Sequence, residues 1–235
     1  MVVESKFLML NGKNAFPGLN YEHFLIDVIN ASNYFASKKA NFEQYCLDTG
    51  KQSNGENDVY SSMYQMDFKL LVSQSVMRAR SKNIPELDYS MIGEGVIMSK
   101  SKPDSELIDV PAETILSDIK NVDIDELRNE KYGDCIKDLI NNLKKPKNLF
   151  LYYPYEYYEK KYNIMTILEK EVTDIFSNVM EYRDELSLGC DTFICFKIDR
   201  YFVILEWENK AFVFKDKVNE LLCTNYRNAK LYSVY

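Results

Sequence analysis

The chain has 235 residues, 46% of them apolar, which suits one sizeable domain or two small ones around a buried core and excludes a disordered composition. Its net charge of −7 argues against a broad basic surface that would bind nucleic acid by charge alone. With 8 glycines, long flexible linkers and glycine-rich phosphate loops are not expected.

The N-terminal run Phe7-Leu8-Met9-Leu10 is too short for a signal peptide and reads as a strand before the Asn11-Gly12 turn. Asn20 can cap a helix that starts at Tyr21 and carries Phe24, Leu25, Val28, Ile29, Ser32 and Phe35 at spacings of three and four. A second helical stretch is expected over 42–48, followed by a loop over 50–55. Two short strands with a tight turn between them follow, within residues 55–71. Residues 72–82 read as a helix ended by Pro85, and 95–98 as a strand.

Residues 99–112 are polar and proline-punctuated, the natural boundary in the chain. An acidic helical region over 112–143 ends at the basic turn Lys144-Lys145-Pro146-Lys147. Residues 101–140 hold five basic residues against eleven acids, so the remainder is near neutral and leaves room for a basic groove elsewhere. Residues 149–153 read as a strand stopped by Pro154. A long helix is expected over 163–183, with Ile164, Ile167, Leu168, Val172, Ile175, Phe176 and Val179 on one face. Residues 193–198 and 201–207 form a hairpin about Asp199-Arg200. Glu208-Asn209-Lys210 turns into a third strand over 211–215, and a short helix over 217–223 closes the sheet.

The expected class is therefore mixed α/β, or α+β. It divides into 1–100, an acidic helical connector over 101–147, and an α+β part over 148–235 with its own antiparallel sheet. The five cysteines form no CxxC pair and there is one histidine, His23, so a zinc framework is not expected. Free buried thiols in a reducing cytoplasm are, and no stretch has the roughly 18 apolar residues of a membrane helix.

An acid two residues before a lysine occurs five times, at Glu4, Asp67, Asp118, Glu159 and Glu208, so it carries nothing alone. Asp67-Phe68-Lys69 differs by its context, a strand facing the acidic segment Gly55-Glu56-Asn57-Asp58. Residues two apart on a strand share a face, so Asp67 and Lys69 point together while Met66, Phe68 and Leu70 point into the core. A turn at Ser62-Met63 puts Asp58 opposite Asp67, and a turn at Ser61-Ser62 puts Glu56 there. A three-residue turn puts Asn57 there instead. Two carboxylates facing each other repel without a cation, and a divalent metal is the usual remedy. Such a metal polarises a phosphate and acidifies a bound water, and a neighbouring lysine can orient that water.

These segments, Gly55-Glu56-Asn57-Asp58-Val59 and Met66-Asp67-Phe68-Lys69-Leu70, resemble the core of the PD-(D/E)xK nuclease superfamily, which includes restriction endonucleases and archaeal Holliday-junction resolvases. The resemblance covers roughly residues 20–100 and implies a restriction-endonuclease-like αβββαβ core. It implies that Asp58 and Asp67 hold Mg²⁺ or Mn²⁺ with the Phe68 carbonyl, and that Asp58, Asp67 and Lys69 are catalytic. Glu56, Gln74, Glu43 and Glu22 are accessory candidates, and Arg78, Arg80 and Lys82 would face phosphates. The acid-to-acid spacing is tighter than the family's, and the strand expected before Asp58 has little room between Lys51 and Glu56.

The expected function is thus a metal-dependent, cytoplasmic nuclease acting on DNA or RNA, with a protein partner delivering substrate, in a bacterial defence or mobile-element setting. The alternative is a non-catalytic interaction protein whose hairpin charges are solvated and whose exposed tyrosines form an interface. The run Tyr152-Tyr153-Pro154-Tyr155-Glu156-Tyr157-Tyr158 could stack bases, and a strand leading into a turn explains it as well.

Overall fold

The computed structural model describes residues 2–4, 21–38, 45–47, 57–61, 64–71, 96–97, 108–109, 114–134, 136–158 and 164–226. In chain order the strands are β1 (Val2–Glu4), β2 (Cys46–Leu47), β3 (Val59–Tyr60), β4 (Gln65–Leu70), β5 (Val96–Ile97), β6 (Ile108–Asp109), β7 (Asn148–Tyr158), β8 (Thr192–Ile198), β9 (Tyr201–Glu208) and β10 (Ala211–Asn219). The helices are α1 (Tyr21–Ala31), α2 (Asn33–Lys38), α3 (Thr114–Asn121), α4 (Ile124–Arg128), α5 (Lys137–Leu143) and α6 (Ile164–Glu185).

Eight strands form one mixed sheet in the order β10-β9-β8-β7-β4-β3-β2, with β1 pairing the far half of β7; β5 and β6 pair separately. The strands β2, β3 and β4 make an antiparallel meander, and β7 lies parallel to β4 on one side and to β8 on the other. The mixed α/β class holds. The sheet runs through both the 1–100 and the 148–235 segments, because β4 and β7 are neighbours.

Both faces of the sheet are covered, which is why its central strands read as apolar runs with no polar alternation. All seven residues of β8 are buried. On one face, Met66, Phe68, Phe150, Tyr152, Phe193, Cys195 and Phe202 pack under Phe24, Leu25, Val28 and Ile29 of α1 and Phe35 of α2. The stripe expected on the first helix is that face. On the other, Leu149, Leu151, Ile194, Phe196 and Leu205 pack under Ile115 and Ile119 of α3, Ile140 and Leu143 of α5, and Val172, Phe176 and Val179 of α6. Each fully buried aromatic or aliphatic side chain contributes about 1.5–3 kcal/mol.

The structure corrects three local expectations. Cys46 and Leu47 are a strand, not part of a helix, because Cys46 pairs with Tyr60 and Leu47 with Val59. Pro154 does not stop its strand. The partners on β4 end at Tyr152, those on β1 begin at Glu156, and the β8 register shifts between Tyr153 and Glu156. The proline sits in a gap of the ladders on both sides, where its missing N–H costs no hydrogen bond. Residues 217–219 continue β10, and only Glu220–Leu222 turn helical, as a 3₁₀ segment. The expected strand at 6–13 and helix at 72–82 lie outside the described residues.

The acidic region folds as three short helices. Asp123 opens α4 with a capping box, its side chain accepting the Glu126 N–H while the Glu126 carboxylate accepts its own. The Glu208–Ala211 turn has both central residues left-handed, Asn209 at φ 50° and Lys210 at φ 64°, which matches the twist of a two-residue hairpin.

Candidate functional site at the β3–β4 hairpin

Tyr60 pairs with Gln65 and Val59 with Met66, and the Ser61 N–H donates to the Tyr64 carbonyl at 2.8 Å. This is the register set by a turn at Ser62-Met63, one of the three the sequence allows. One more step along it would set Asp58 against Asp67. The ladder stops first. Asp58 instead turns its Oδ2 to accept the Phe68 N–H at 2.8 Å, taking the place of a main-chain partner.

The Leu71 N–H donates to Tyr152 on β7, so by the alternation of a strand the N–H and C=O of Phe68 face the opposite edge, toward β3. The Asp58 carboxylate and the Phe68 carbonyl therefore share one edge of β4. Asp67 aligns with Leu149 and Lys69 with Leu151, so both side chains lie on the α3–α6 face while Met66 and Phe68 fill the α1 face. Asp67 and Lys69 do point together, as their spacing requires. Asp67 is 4% exposed and Lys69 is half-buried.

The last residue of the basic turn before β7 completes the site. Lys147 places its Nζ 3.1 Å from both carboxylate oxygens of Asp67. Its position is built by Arg183 on α6, 3% exposed, whose guanidinium donates to the carbonyls of Leu143, Lys145 and Lys147, the last at 2.6 Å. Burial pulls the Arg183 pKa below its ordinary value. Beside them, Asn148 donates to the Gln65 carbonyl at 2.8 Å and accepts the Asp191 N–H at 2.9 Å, stitching β4, β7 and the start of β8. Asp191 in turn accepts the Tyr64 hydroxyl at 2.6 Å; burial first, then this bond and the nearby carboxylates, raise the phenol far above its usual range.

The signal for Lys147 was present in the sequence only as a lysine directly before a strand. Its use depends on the parallel pairing of Met66 with Asn148, a contact between segments about eighty residues apart that no local pattern encodes.

Of the other candidates, Glu22 stands on α1, the helix covering the face opposite Asp67 and Lys69, so the fold does not bring it to them. Glu43, Glu56, Gln74, Arg78, Arg80 and Lys82 lie outside the described residues. Among the described residues no three His, Cys, Asp or Glu side chains converge as a metal cage, and Cys46, Cys190, Cys195 and Cys223 form no disulfide. No described helix is long and apolar enough to cross a membrane.

The donors at the hairpin are hard oxygens: the Asp58 and Asp67 carboxylates and the Phe68 carbonyl. That set fits Mg²⁺ or Mn²⁺, since Mg²⁺ is ordinarily held by one or two carboxylates with waters and substrate phosphate filling the rest. Comparison with family models, with curated proteins and with solved structures finds no match to this chain.

Proposed function

We propose that the chain is a divalent-metal-dependent nuclease acting at the β3–β4 hairpin. The observation that carries this reading is the order of elements around Asp67-Phe68-Lys69. A helix (α1) precedes an antiparallel meander (β2, β3, β4), and a helical crossover containing α3–α5 leads to a strand (β7) parallel to β4. Leaving aside α2 and the separately paired β5 and β6, this is similar to the αβββαβ order of the resemblance and supports the reading, with Asp58 beside the second strand and Asp67-x-Lys69 on the third. On this reading β2, earlier in the chain, would serve as the strand that has little room after Lys51. On this reading the core extends to β7, well beyond residue 100.

Asp58, Asp67 and the Phe68 carbonyl would hold the metal. When bound, the metal supplies Lewis acidity toward a phosphate oxygen and lowers the pKa of its water. Lys69, on the same face as Asp67, holds the attacking water and offsets negative charge that accumulates on the phosphorus oxygens. Leu149 and Leu151 beside these side chains keep their surroundings poor in water, which strengthens each electrostatic contact. The acidic chain leaves delivery of DNA or RNA to a protein partner, and its described cysteines, none of them in a disulfide, fit a reducing cytoplasm.

The test is cleavage of DNA and of RNA by the purified chain in Mg²⁺ or Mn²⁺, against Lys69→Ala and Asp67→Asn. Loss of cleavage in both variants is expected; cleavage untouched by either sinks the site.

One observation favours a second reading, a non-catalytic interaction protein. Both acids already have protein partners, Asp67 an ammonium and Asp58 a main-chain N–H, so neither needs a metal to be tolerated. Absence of Mn²⁺ binding both in the chain and in its Lys147→Met variant, which frees Asp67 of its ammonium, would decide for it.

A further inference from the structure

We infer that Lys147 is an internal counter-ion that occupies Asp67 and must be displaced when a divalent cation binds there; the inference rests on the metal site proposed above. Asp67 is fixed in the middle of β4, its side chain only 6% exposed, and a carboxylate so placed needs a cation in the folded protein whether or not metal is present. Lys147 supplies one, touching both oxygens at 3.1 Å. The lone pairs it takes are those a metal would use.

The pair is asymmetric in a way that suits exchange. The Lys147 side chain is 17% exposed, so of the two partners it has the better path to water. Its backbone is held independently of its ammonium, because Arg183 grips the carbonyls of Lys145 and Lys147. The ammonium can swing off Asp67 on its flexible stem while the turn stays in place, and it then lies beside the site with its charge intact. Lys147 is thus a positioning residue that holds Asp67 ready and weakens metal binding by competition.

The experiment is calorimetric titration of the full chain with Mn²⁺ alone, comparing wild type, Lys147→Met and Lys147→Arg. Met removes the charge at similar length. Arg keeps it and pairs a carboxylate through two parallel N–H bonds, so it should compete harder. The expected result is Mn²⁺ affinity at least tenfold tighter in Lys147→Met and at least threefold weaker in Lys147→Arg. In urea, the unfolding midpoint of Lys147→Met should rise with Mn²⁺ at concentrations about tenfold lower than those that raise the midpoint of wild type.

Equal affinity in the three proteins overturns the displacement and leaves the metal site standing. Weaker binding by Lys147→Met also overturns it, since Lys147 would then help to assemble the site. Absence of Mn²⁺ binding in wild type and Lys147→Met overturns the displacement and the nuclease reading together. If Lys147→Met does not fold, Lys147→Arg decides alone: affinity unchanged or tighter overturns the proposal.

Discussion

The Arg183 guanidinium donates to the Lys147 carbonyl at 2.6 Å, and the side chain of that same Lys147 holds Asp67, so a residue on α6 sets the position of a charge on β4. Arg183 has three main-chain carbonyls as partners and almost no exposure. Arg183→Met would take the guanidinium from all three, leaving the Lys145 carbonyl the Lys147 N–H, and a hydrogen bond to a charged group is worth about 1.5–3 kcal/mol. The variant should lose about 3 kcal/mol or more in urea denaturation. Arg183→Lys keeps the charge but not the fork that spans the turn, so it should recover only part of that. A loss below about 1 kcal/mol in Arg183→Met would show that the turn holds itself.

A single substitution separates the hydrogen bond that Asp58 makes from the metal-binding role proposed for it. As a carboxylate it is a metal donor in the proposed site, and as an acceptor it caps the Phe68 N–H where the ladder ends. Asp58→Asn keeps an oxygen for that N–H and removes the charge. Stability should therefore change by less than about 1 kcal/mol, in keeping with one neutral hydrogen bond replacing a charged one. Mn²⁺ affinity should fall at least tenfold, read by the same titration as for Lys147. Affinity equal to wild type would leave Asp58 a strand cap only.

What the sequence disclosed follows the range of the interactions involved. The stripe from Phe24 to Phe35, the Asp199-Arg200 hairpin and the common face of Asp67 and Lys69 are period effects within a few residues, and the structure contains all three. The hairpin register was legible up to a choice among turn lengths. Cys46 was misread because its strand exists only by pairing with Tyr60. Pro154 was misread because a bulge and a change of neighbour, neither visible locally, remove the need for its N–H. Of the three registers, the one that turns at Ser62-Met63 puts Asp58 opposite Asp67 only if the ladder continues, whereas the short Asp58 side chain satisfies the next N–H directly. The partner of Asp67 comes from a segment beyond the crossover, and that is a property of topology.

The outer edge of the sheet yields a prediction about association. Edge strand β10 is capped by α6: the Phe212 N–H donates to Thr173 Oγ1 at 2.9 Å and the Phe214 N–H to Glu169 Oε1 at 2.6 Å. Side chains of a helix thus occupy donors that another chain's strand would seek. Thr173→Val keeps the shape and removes the acceptor, so it should cost about 1–3 kcal/mol through an uncapped N–H. It should also raise self-association, measured by sedimentation velocity across a concentration series. A variant that stays monodisperse like wild type, with unchanged stability, would show that the cap has no protective part.

Tyr64 gives the fold a dependence on alkaline pH. Its hydroxyl donates to Asp191 at 2.6 Å, and burial together with the Asp191 and Glu206 carboxylates raises its pKa far above the usual value. In the unfolded chain the same phenol ionises near pH 10. Above that pH the unfolded state binds fewer protons than the native one, so the stability attributable to Tyr64 is complete below about pH 10 and declines as pH rises beyond it. The decline approaches about 1.4 kcal/mol per pH unit. Tyr64→Phe has no proton to lose and forfeits the bond to Asp191, so at pH 8 it should be less stable by about 1.5–3 kcal/mol. Every other group is common to the two proteins, and the difference between them isolates this one. Urea denaturation at pH 8, 10 and 11 should therefore find that difference smaller than at pH 8 by about 0.4 kcal/mol at pH 10 and by about 1.4 kcal/mol at pH 11. A difference that stays level through pH 11 would mean that the phenol ionises as readily in the native protein as in the unfolded chain.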